Sequence, residues 1–279
     1  MNLAVPAQPF WFARILWAFV RREIAALGSY RIAALLRLLG FVSVVASLLF
    51  LSRFVGAAVN PHLAGYAGNY LGFVVIGVLV ADLQNVGISG LAHRIRAAQM
   101  MGTLEAEVAT PAPPWMVLGA PPVYEFGAAA LRATGYLAGA KLLLGLDLSR
   151  ANWLSVLIVA PLVVAAFTGL GLLAAGTTML VRRLNPVANI VGSLSFFLSG
   201  VMYPVSVLPG WLRAMGNLLP LTHALTALRG ALLAGAGPSA MKDSLLALLA
   251  FSAALAPAGV AVFVYALRRA RDDGSLSHY

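Results

Sequence analysis

Long apolar stretches alternate with short polar segments along most of the chain. A bilayer needs about 20 consecutive apolar residues for one helical crossing. Six stretches meet this requirement, at about residues 32–55, 70–91, 115–146, 153–181, 186–203 and 245–267. The pattern predicts an all-α integral membrane protein in which residues 1–279 form a single transmembrane domain of six transmembrane helices.

Two of the predicted spans carry signals of close packing or irregular shape. The second contains Gly72, Gly77, Gly87 and Gly90, and small residues let neighbouring membrane helices approach closely. The third has two prolines, at 121 and 122, near its start. This pair predicts a break or kink in that helix.

The segment of about residues 10–30 combines apolar and charged positions. Phe12, Ile15 and Phe19 are apolar, whereas Arg14 and Arg21 are charged. Aromatic residues mixed with arginines are typical of a helix that lies in the membrane interface. We therefore predict an N-terminal interfacial amphipathic helix, although the pattern alone fits a simple anchor for the N-terminus equally well.

A polar segment between the second and third spans predicts a short helix at about residues 102–110. Thr103 is a good N-cap, and Glu105 and Glu107 follow in the first turn, where carboxylates interact favourably with the helix dipole. Pro111 prevents the helix from continuing. Leu104 and Val108 give it one apolar face, so this pattern alone also fits a helix resting on the lipid surface.

A second irregular segment follows the fifth span. Prolines and glycines prevent one continuous helix here: Pro204, Pro209, Pro220, Gly200, Gly210 and Gly216. Broken backbone at membrane depth must be buried in protein or line a wet cavity. We predict a pair of short re-entrant helices at about 204–235, although the composition also fits an ordinary extracellular loop.

The composition excludes a soluble globular protein, because 61% of residues are hydrophobic, only 10% are charged and the mean hydropathy is +0.90. The net charge of +10 is explained by basic residues at span ends rather than by nucleic-acid binding. The chain contains no cysteine, which excludes disulfides and thiolate metal sites. Its four histidines show no metal-ligand spacing, so we expect no metal site.

The distribution of basic residues predicts the orientation in the membrane. One side holds twelve of them: Arg14, Arg21, Arg22, Arg31, Arg37, Arg94, Arg96, Arg182, Arg183, Arg268, Arg269 and Arg271. The other side holds five: Arg53, Arg150, Arg213, Arg229 and Lys242. Both termini and the short helix at 102–110 are therefore expected in the cytoplasm.

Charged and polar residues inside predicted spans are candidate functional residues, because isolated charges are costly there. Glu125 and Arg132 lie seven residues apart on one helix and could pair with each other or through another span. Asp82, Gln84 and Asn85 form a polar patch in the middle of the second span. This patch could line a translocation path or a dimer seam, or it could be a structural network between helices.

Two motifs resemble those of type-2 ABC exporter permeases. The first is Met-Met-Gly-Thr-Leu-Glu-Ala-Glu-Val-Ala-Thr-Pro at 100–111. The second comprises Ser-Gly-Val-Met-Tyr-Pro-Val-Ser-Val-Leu-Pro-Gly-Trp-Leu at 199–212 and Leu-Pro-Leu-Thr-His-Ala-Leu-Thr-Ala-Leu-Arg at 219–229. Two separate motifs in the right order and at the right distance are difficult to obtain by chance.

The resemblance implies a function for each segment. The 102–110 helix would be a cytoplasmic coupling helix that docks on a separate ATPase subunit, through Met101, Gly102, Thr103, Leu104, Glu105, Thr110 and Pro111. The second and fifth spans would face a central cavity. Candidate path or gate residues are then Asp82, Gln84, Asn85, Ser195, Ser199, Tyr203, Pro204, Leu208 and Pro209.

The resemblance also implies the partners. The chain would be a permease subunit in a bacterial cytoplasmic membrane, paired with a second permease, identical or paralogous, and with two ATPase subunits. It contains no Gly-x-x-x-x-Gly-Lys-Ser/Thr phosphate loop, so ATP and Mg²⁺ would be bound by the partner ATPase and no cofactor by this chain. The exported cargo would be amphipathic or hydrophobic, such as a drug, a lipid or a glycan-type molecule.

Two functions from other classes remain as alternatives. An ion-coupled secondary transporter would use Asp82 and Glu125 as proton or sodium carriers. An integral membrane enzyme would need a convergent acid, base or metal constellation at the interface, and the sequence offers none. Dependence of transport on ATP hydrolysis by a separate subunit distinguishes the exporter from both.

Overall fold

A computed structural model of the chain describes residues 70–100, 114–181 and 186–272, with isolated positions between residues 21 and 50. The predicted interfacial helix, first span and coupling helix lie outside these three ranges. The described residues form helices and connecting turns. They comprise α1 (Tyr70–Met100), α2 (Pro114–Leu144), α3 (Trp153–Val181), α4 (Pro186–Leu198), α5 (Gly210–Asn217), α6 (Pro220–Leu233), α7 (Lys242–Asp272) and the 3-10 turns Val205–Val207 and Pro238–Met241.

Three of the described helical segments are long and apolar enough to cross a membrane. They are Tyr70–Ala97, Trp153–Leu180 and Pro238–Arg269. A shorter apolar helix covers Asn189–Leu198. The all-helical membrane fold is therefore present in the described residues, whereas the count of six spans remains a prediction.

Several predicted boundaries differ from the structure. The second span was expected to end near residue 91, but α1 continues to Met100, and Ala92 and Ile95 are buried against α3 and α7. The fifth span was expected to reach residue 203, but α4 ends at Leu198. Gly200 adopts φ +74°, which a helix cannot contain, and this ends the helix.

The sequence predicted a break or kink at residues 121 and 122. α2 is one continuous helix, so the chain does not break there, whereas the kink stays a prediction. A proline removes one backbone donor, and in a membrane helix the remaining backbone hydrogen bonds are protected from water. Pro161 and Pro257 likewise lie inside α3 and α7 without ending them.

The long helices α1, α3 and α7 run in the same direction. Their first halves share one apolar core, and their second halves share another, formed by residues such as Ile95 of α1, Met179 of α3 and Phe263 of α7. The chain must therefore return between them. α2 does so, running antiparallel to α1 with Phe126 beside Gly87 and Arg132 beside Asp82.

Glycines bring these three helices into close contact, as the glycine content of the second span predicts. A Cβ atom on Gly171 of α3 would overlap the carbonyl oxygen of Gly87 in α1. A Cβ atom on Gly259 of α7 would lie 2.6 Å from the carbonyl oxygen of Gly169 in α3. Between apolar helices in lipid, such backbone-to-backbone packing is a main source of association. It makes α1, α3 and α7 one tightly packed unit.

The short helix α6 is inserted into the half of this unit that contains the start of α1. Its C-terminal end is tied to the loop before α3, where the Asn152 N–H donates to the Ala231 carbonyl at 2.9 Å. Its N-terminal end reaches Leu221, which lies beside residues in the middle of α1. Leu225 and Leu232 are buried on the way. The helix therefore extends from one end of the bundle to about half its depth.

We predict that Gly259→Ala destabilises the protein, because the added methyl group overlaps the α3 backbone. Overpacking of this kind costs about 1–3 kcal/mol. Gly135 of α2 is the matched control, since a Cβ atom there meets nothing within 4 Å. Gly135→Ala should be neutral or stabilise by up to about 1 kcal/mol through helix propensity. Thermal unfolding in detergent measures both, and equal melting temperatures for the two variants would contradict the packing.

Candidate functional site

An open groove lies midway along α1, between that helix and α4. Its volume is about 350 Å³, which is within the range of small-molecule sites. We call it the α1–α4 groove. The lining residues are Val78, Ala81, Asp82, Gln84 and Asn85 of α1, Gly192 and Phe196 of α4, and Leu221 of α6. The polar patch identified in the sequence therefore faces a cavity wall that is otherwise apolar.

Asp82 forms an ion pair across two helices. The Arg132 Nη2 of α2 lies 3.3 Å from the Asp82 Oδ2, and the two side chains are 39% and 41% exposed. The sequence left open whether Arg132 pairs with Glu125 or through another span, and the structure shows a partner on another helix, because the antiparallel α1 presents Asp82 to Arg132. The Glu125 carboxylate lies farther along α1, against Gly90, whose missing side chain makes room for it.

Gln84 and Asn85 are neighbours in sequence but have different surroundings. Asn85 is exposed, and its Oδ1 accepts a hydrogen bond from the Ser89 hydroxyl at 3.2 Å. Gln84 is only 2% exposed, and its Oε1 has no hydrogen-bond partner among the residues that the structure describes. A buried acceptor left in this state costs about 1–3 kcal/mol. Burial of the Gln84 side chain in the groove wall is therefore unfavourable unless its Oε1 gains a donor.

Ser195 lies on the last turn of α4 and Ser199 directly follows the helix, and both are 1% exposed. Within the described part of the chain, their hydroxyl oxygens have no hydrogen-bond partner. The helix therefore turns these hydroxyls into the protein, while Ile190, Leu194 and Phe197 are exposed on its other side. The sequence predicted a small, mildly polar stripe here, and the structure buries it.

The broken segment after α4 is held by side chains that donate to backbone carbonyls. The Tyr70 hydroxyl donates to the Met202 carbonyl at 3.1 Å, and the Tyr203 hydroxyl donates to the Phe197 carbonyl. The Thr222 hydroxyl donates to the Gly216 carbonyl at 2.5 Å. The Phe197 and Gly216 acceptors lie at the ends of α4 and α5, where helices leave carbonyls without partners, and Met202 lies in the turn after α4.

Arg229 is the most extensively bonded of these donors. It is 3% exposed, and its guanidinium donates to the carbonyls of Phe73 at 3.0 Å, Gly200 at 2.9 Å and Val201 at 2.7 Å. It also lies 3.4 Å from the centre of the Phe73 ring, in a cation–π contact. One side chain thus joins α6, the start of α1 and the turn that ends α4.

The position of Arg229 corrects the sequence analysis, which counted it as a loop charge on the outer side. The apolar repeat of α6 could have placed it correctly. Leu225 and Leu232 are buried and lie four residues before and three residues after Arg229, so all three share one helix face. The sequence also gave no role to Phe73, because an aromatic residue in an apolar span carries no distinguishing signal.

The remaining candidate residues fall into separate places. Pro204 is buried, Leu208 is half-buried and Pro209 is exposed, all in the turn between α4 and α5. They are not brought next to Asp82 and Gln84 in the groove. The candidate coupling residues Met101 to Pro111 lie outside the described residues. The path and gate candidates therefore lie in two places. One is the α1–α4 groove in the middle of α1. The other is the segment 199–209 between α4 and α5, which lies nearer the start of α1 and which we call the capped turn.

One family comparison matches this chain. The model described as ABC-2 type transporter matches residues 14–233, well over half of the chain. The match ends at the last residue of α6 and includes the groove, the capped turn and Arg229. No curated protein matches the chain.

We predict that Arg229→Met loosens the turn that ends α4. Three carbonyls lose a charged donor, and such hydrogen bonds contribute about 1.5–3 kcal/mol each, so the free energy of unfolding should fall by about 3 kcal/mol or more. Hydrogen–deuterium exchange should increase at residues 199–203. Arg213→Met is the control, because Arg213 is exposed and its partners in the described part of the chain are the Ser206 and Leu208 carbonyls. Similar effects of the two changes on exchange at 199–203 would refute the role of Arg229.

Proposed function

Since this chain belongs to the ABC-2 type transporter family, and is thus a membrane subunit of an ABC transporter, we propose that it forms the export path for an amphipathic or hydrophobic cargo. The α1–α4 groove carries this proposal. It combines an apolar wall with Asp82, Gln84 and Asn85 halfway along a membrane-spanning helix. Polar groups at this depth are costly unless they face protein, water or a ligand.

ATP hydrolysis in the partner subunit would be coupled to the groove by movement of α1. The helix has 31 residues and is about 46 Å long at 1.5 Å per residue. Its C-terminal end leads directly into the segment around residues 102–110, which we propose to be the coupling helix on the ATPase. Asp82 and Gln84 lie at its middle, and Phe73 near its start accepts a hydrogen bond from Arg229. A displacement at the Met100 end would therefore reach both the groove and the capped turn.

The capped turn and the two short helices after it would form the outer gate. The depth reached by α6 supports a re-entrant segment, because the helix begins beside the middle of α1 and ends at one end of the bundle. The apolar residues from Tyr203 to Leu219 would close the path between transport cycles. Opening would require this region to move relative to α1, against the hydrogen bonds from Arg229 to the Phe73 carbonyl and from Tyr70 to the Met202 carbonyl.

The assembly that follows from this proposal is a transporter with two permease chains, identical or paralogous, and two ATPase subunits. ATP and Mg²⁺ would be bound by the ATPase subunits, and the membrane would be the cytoplasmic membrane of a bacterium. Both termini would face the cytoplasm. With Arg229 buried, the outer side keeps four of the five basic residues assigned to it, so the charge asymmetry that supports this orientation increases.

Co-purification of an ATPase with wild type and with Glu105→Arg tests the proposal. The native membrane is solubilised in mild detergent, and the tagged permease is isolated. We expect an ATPase subunit with the wild type and its loss with Glu105→Arg, because the reversed charge lies in the proposed contact.

Asp147→Arg is the matched control for this experiment. Asp147 lies in the loop between α2 and α3, and the Ser149 N–H donates to its carboxylate at 2.9 Å, which lowers the pKa of Asp147. The control therefore also reverses a full negative charge at neutral pH, and it should retain the ATPase. Absence of any ATPase from the wild-type preparation would reject the exporter proposal. Loss of the ATPase from both variants would reject the assignment of the contact to Glu105.

A further inference from the structure

The α1–α4 groove presents hydrogen-bond acceptors to whatever enters it. Gln84 lines the groove, and its buried Oε1 has no partner among the described residues. A group that stays buried without a donor costs about 1–3 kcal/mol, so a ligand that supplies a donor is favoured over one that does not. The chemistry of Gln84 therefore selects for a ligand with N–H or O–H groups.

Asp82 adds a negative charge to the same groove. One residue, Leu83, separates Asp82 from Gln84 on α1, and both Asp82 and Gln84 line the groove. Arg132 approaches one carboxylate oxygen, Oδ2, at 3.3 Å. A carboxylate has about four positions at which it accepts hydrogen bonds, so Asp82 retains capacity for a second donor. The 41% exposure of its side chain leaves that capacity accessible.

The facing wall suits the apolar part of the same ligand. Phe196, Leu221 and Val78 contribute hydrocarbon surface, and Gly192 leaves space between them. The ring of Phe196 also offers a face on which a cation is favourable. In contrast, a carboxylate or phosphate head would bring a second negative charge beside Asp82, whose only described cationic partner, Arg132, is already engaged.

We propose that the α1–α4 groove binds amphipathic primary amines, with the ammonium group donating to Asp82 and Gln84 and the apolar body packed against Phe196 and Leu221. This inference rests on the proposed function, because it names the class of cargo that the exporter would accept. It assigns Asp82 and Gln84 a direct role in cargo recognition.

Equilibrium binding to the full-length permease in lipid nanodiscs tests the inference without ATP or the ATPase. The probes are naphthylethylamine, naphthylethanol and naphthylacetate, which share a ring system and differ in the head group. Binding to empty nanodiscs is subtracted for each. We expect saturable binding of the amine, at least about tenfold tighter than that of the alcohol or the carboxylate, because a charged hydrogen bond contributes about 1.5–3 kcal/mol and 1.4 kcal/mol is tenfold.

Two substitutions that preserve side-chain shape then locate the site. Gln84→Met and Asp82→Asn should each weaken binding of the amine by about fivefold or more, since each removes one acceptor or the charge from the groove. Asp147→Asn, in the loop outside the groove, should leave the affinity unchanged. Elution and thermal unfolding show whether each groove variant folds. If only one of them folds, the affinity of that variant for the amine decides whether the groove is the binding site.

Three results would overturn the inference. They are equal or tighter binding of the carboxylate, equal binding of the alcohol and the amine, and unchanged affinity of the amine in the groove variants. The outcome is independent of the ATPase experiment. Selective amine binding without an associated ATPase would keep the site and reject the exporter, whereas an associated ATPase without amine selectivity would keep the exporter and reject this cargo class.

Discussion

A polypeptide that breaks its helix inside a membrane must satisfy the released backbone groups from within the protein, because lipid offers no hydrogen bonds. Backbone that is buried between helices needs internal partners for the same reason, and the region after α4 is of this kind. The carbonyls of Gly200 and Val201 extend beyond the last helical turn, and the guanidinium of Arg229 binds both. A single arginine can do this because its donors are fixed in a planar fork and it stays charged even when buried.

The same constraint explains why so many polar residues of this apolar segment point inward. Tyr203, Thr222 and Arg229 donate to carbonyls at the ends of α4 and α5. Residues that a family resemblance presents as a signature therefore have an immediate structural reason. They give two helix ends and a turn hydrogen-bond partners inside the bundle, and any gate built from this segment depends on them.

The two sides of the bundle differ in how they can respond to force. On one side, α1, α3 and α7 are joined by contacts such as that between Gly169 and Gly259, which leave little freedom for relative movement. On the other side, α1 faces α4 across an open groove and meets α2 through the ion pair of Asp82 and Arg132. A mechanical input along α1 would therefore change the groove more readily than the tightly packed side.

The apolar pattern by itself determined that the chain is a helical membrane protein, and it located α3 at Trp153–Val181 and the start of α1 at Tyr70. Length and hydropathy suffice for this, because the bilayer imposes both. The polar patch at Asp82 and Gln84 was also visible, since charges and amides are rare in such helices. The sequence further predicted broken backbone after α4 from its prolines and glycines.

Only the tertiary structure decided which residues meet. Asp82 of α1 pairs with Arg132 of α2, because the two helices are antiparallel and their register sets the partner. Arg229 is buried and hydrogen-bonded to three carbonyls rather than exposed in a loop, because α6 packs inside the bundle. Periodicity along one helix fixes the face on which a side chain lies. The residue opposite that face depends on the packing of helices that are distant in sequence.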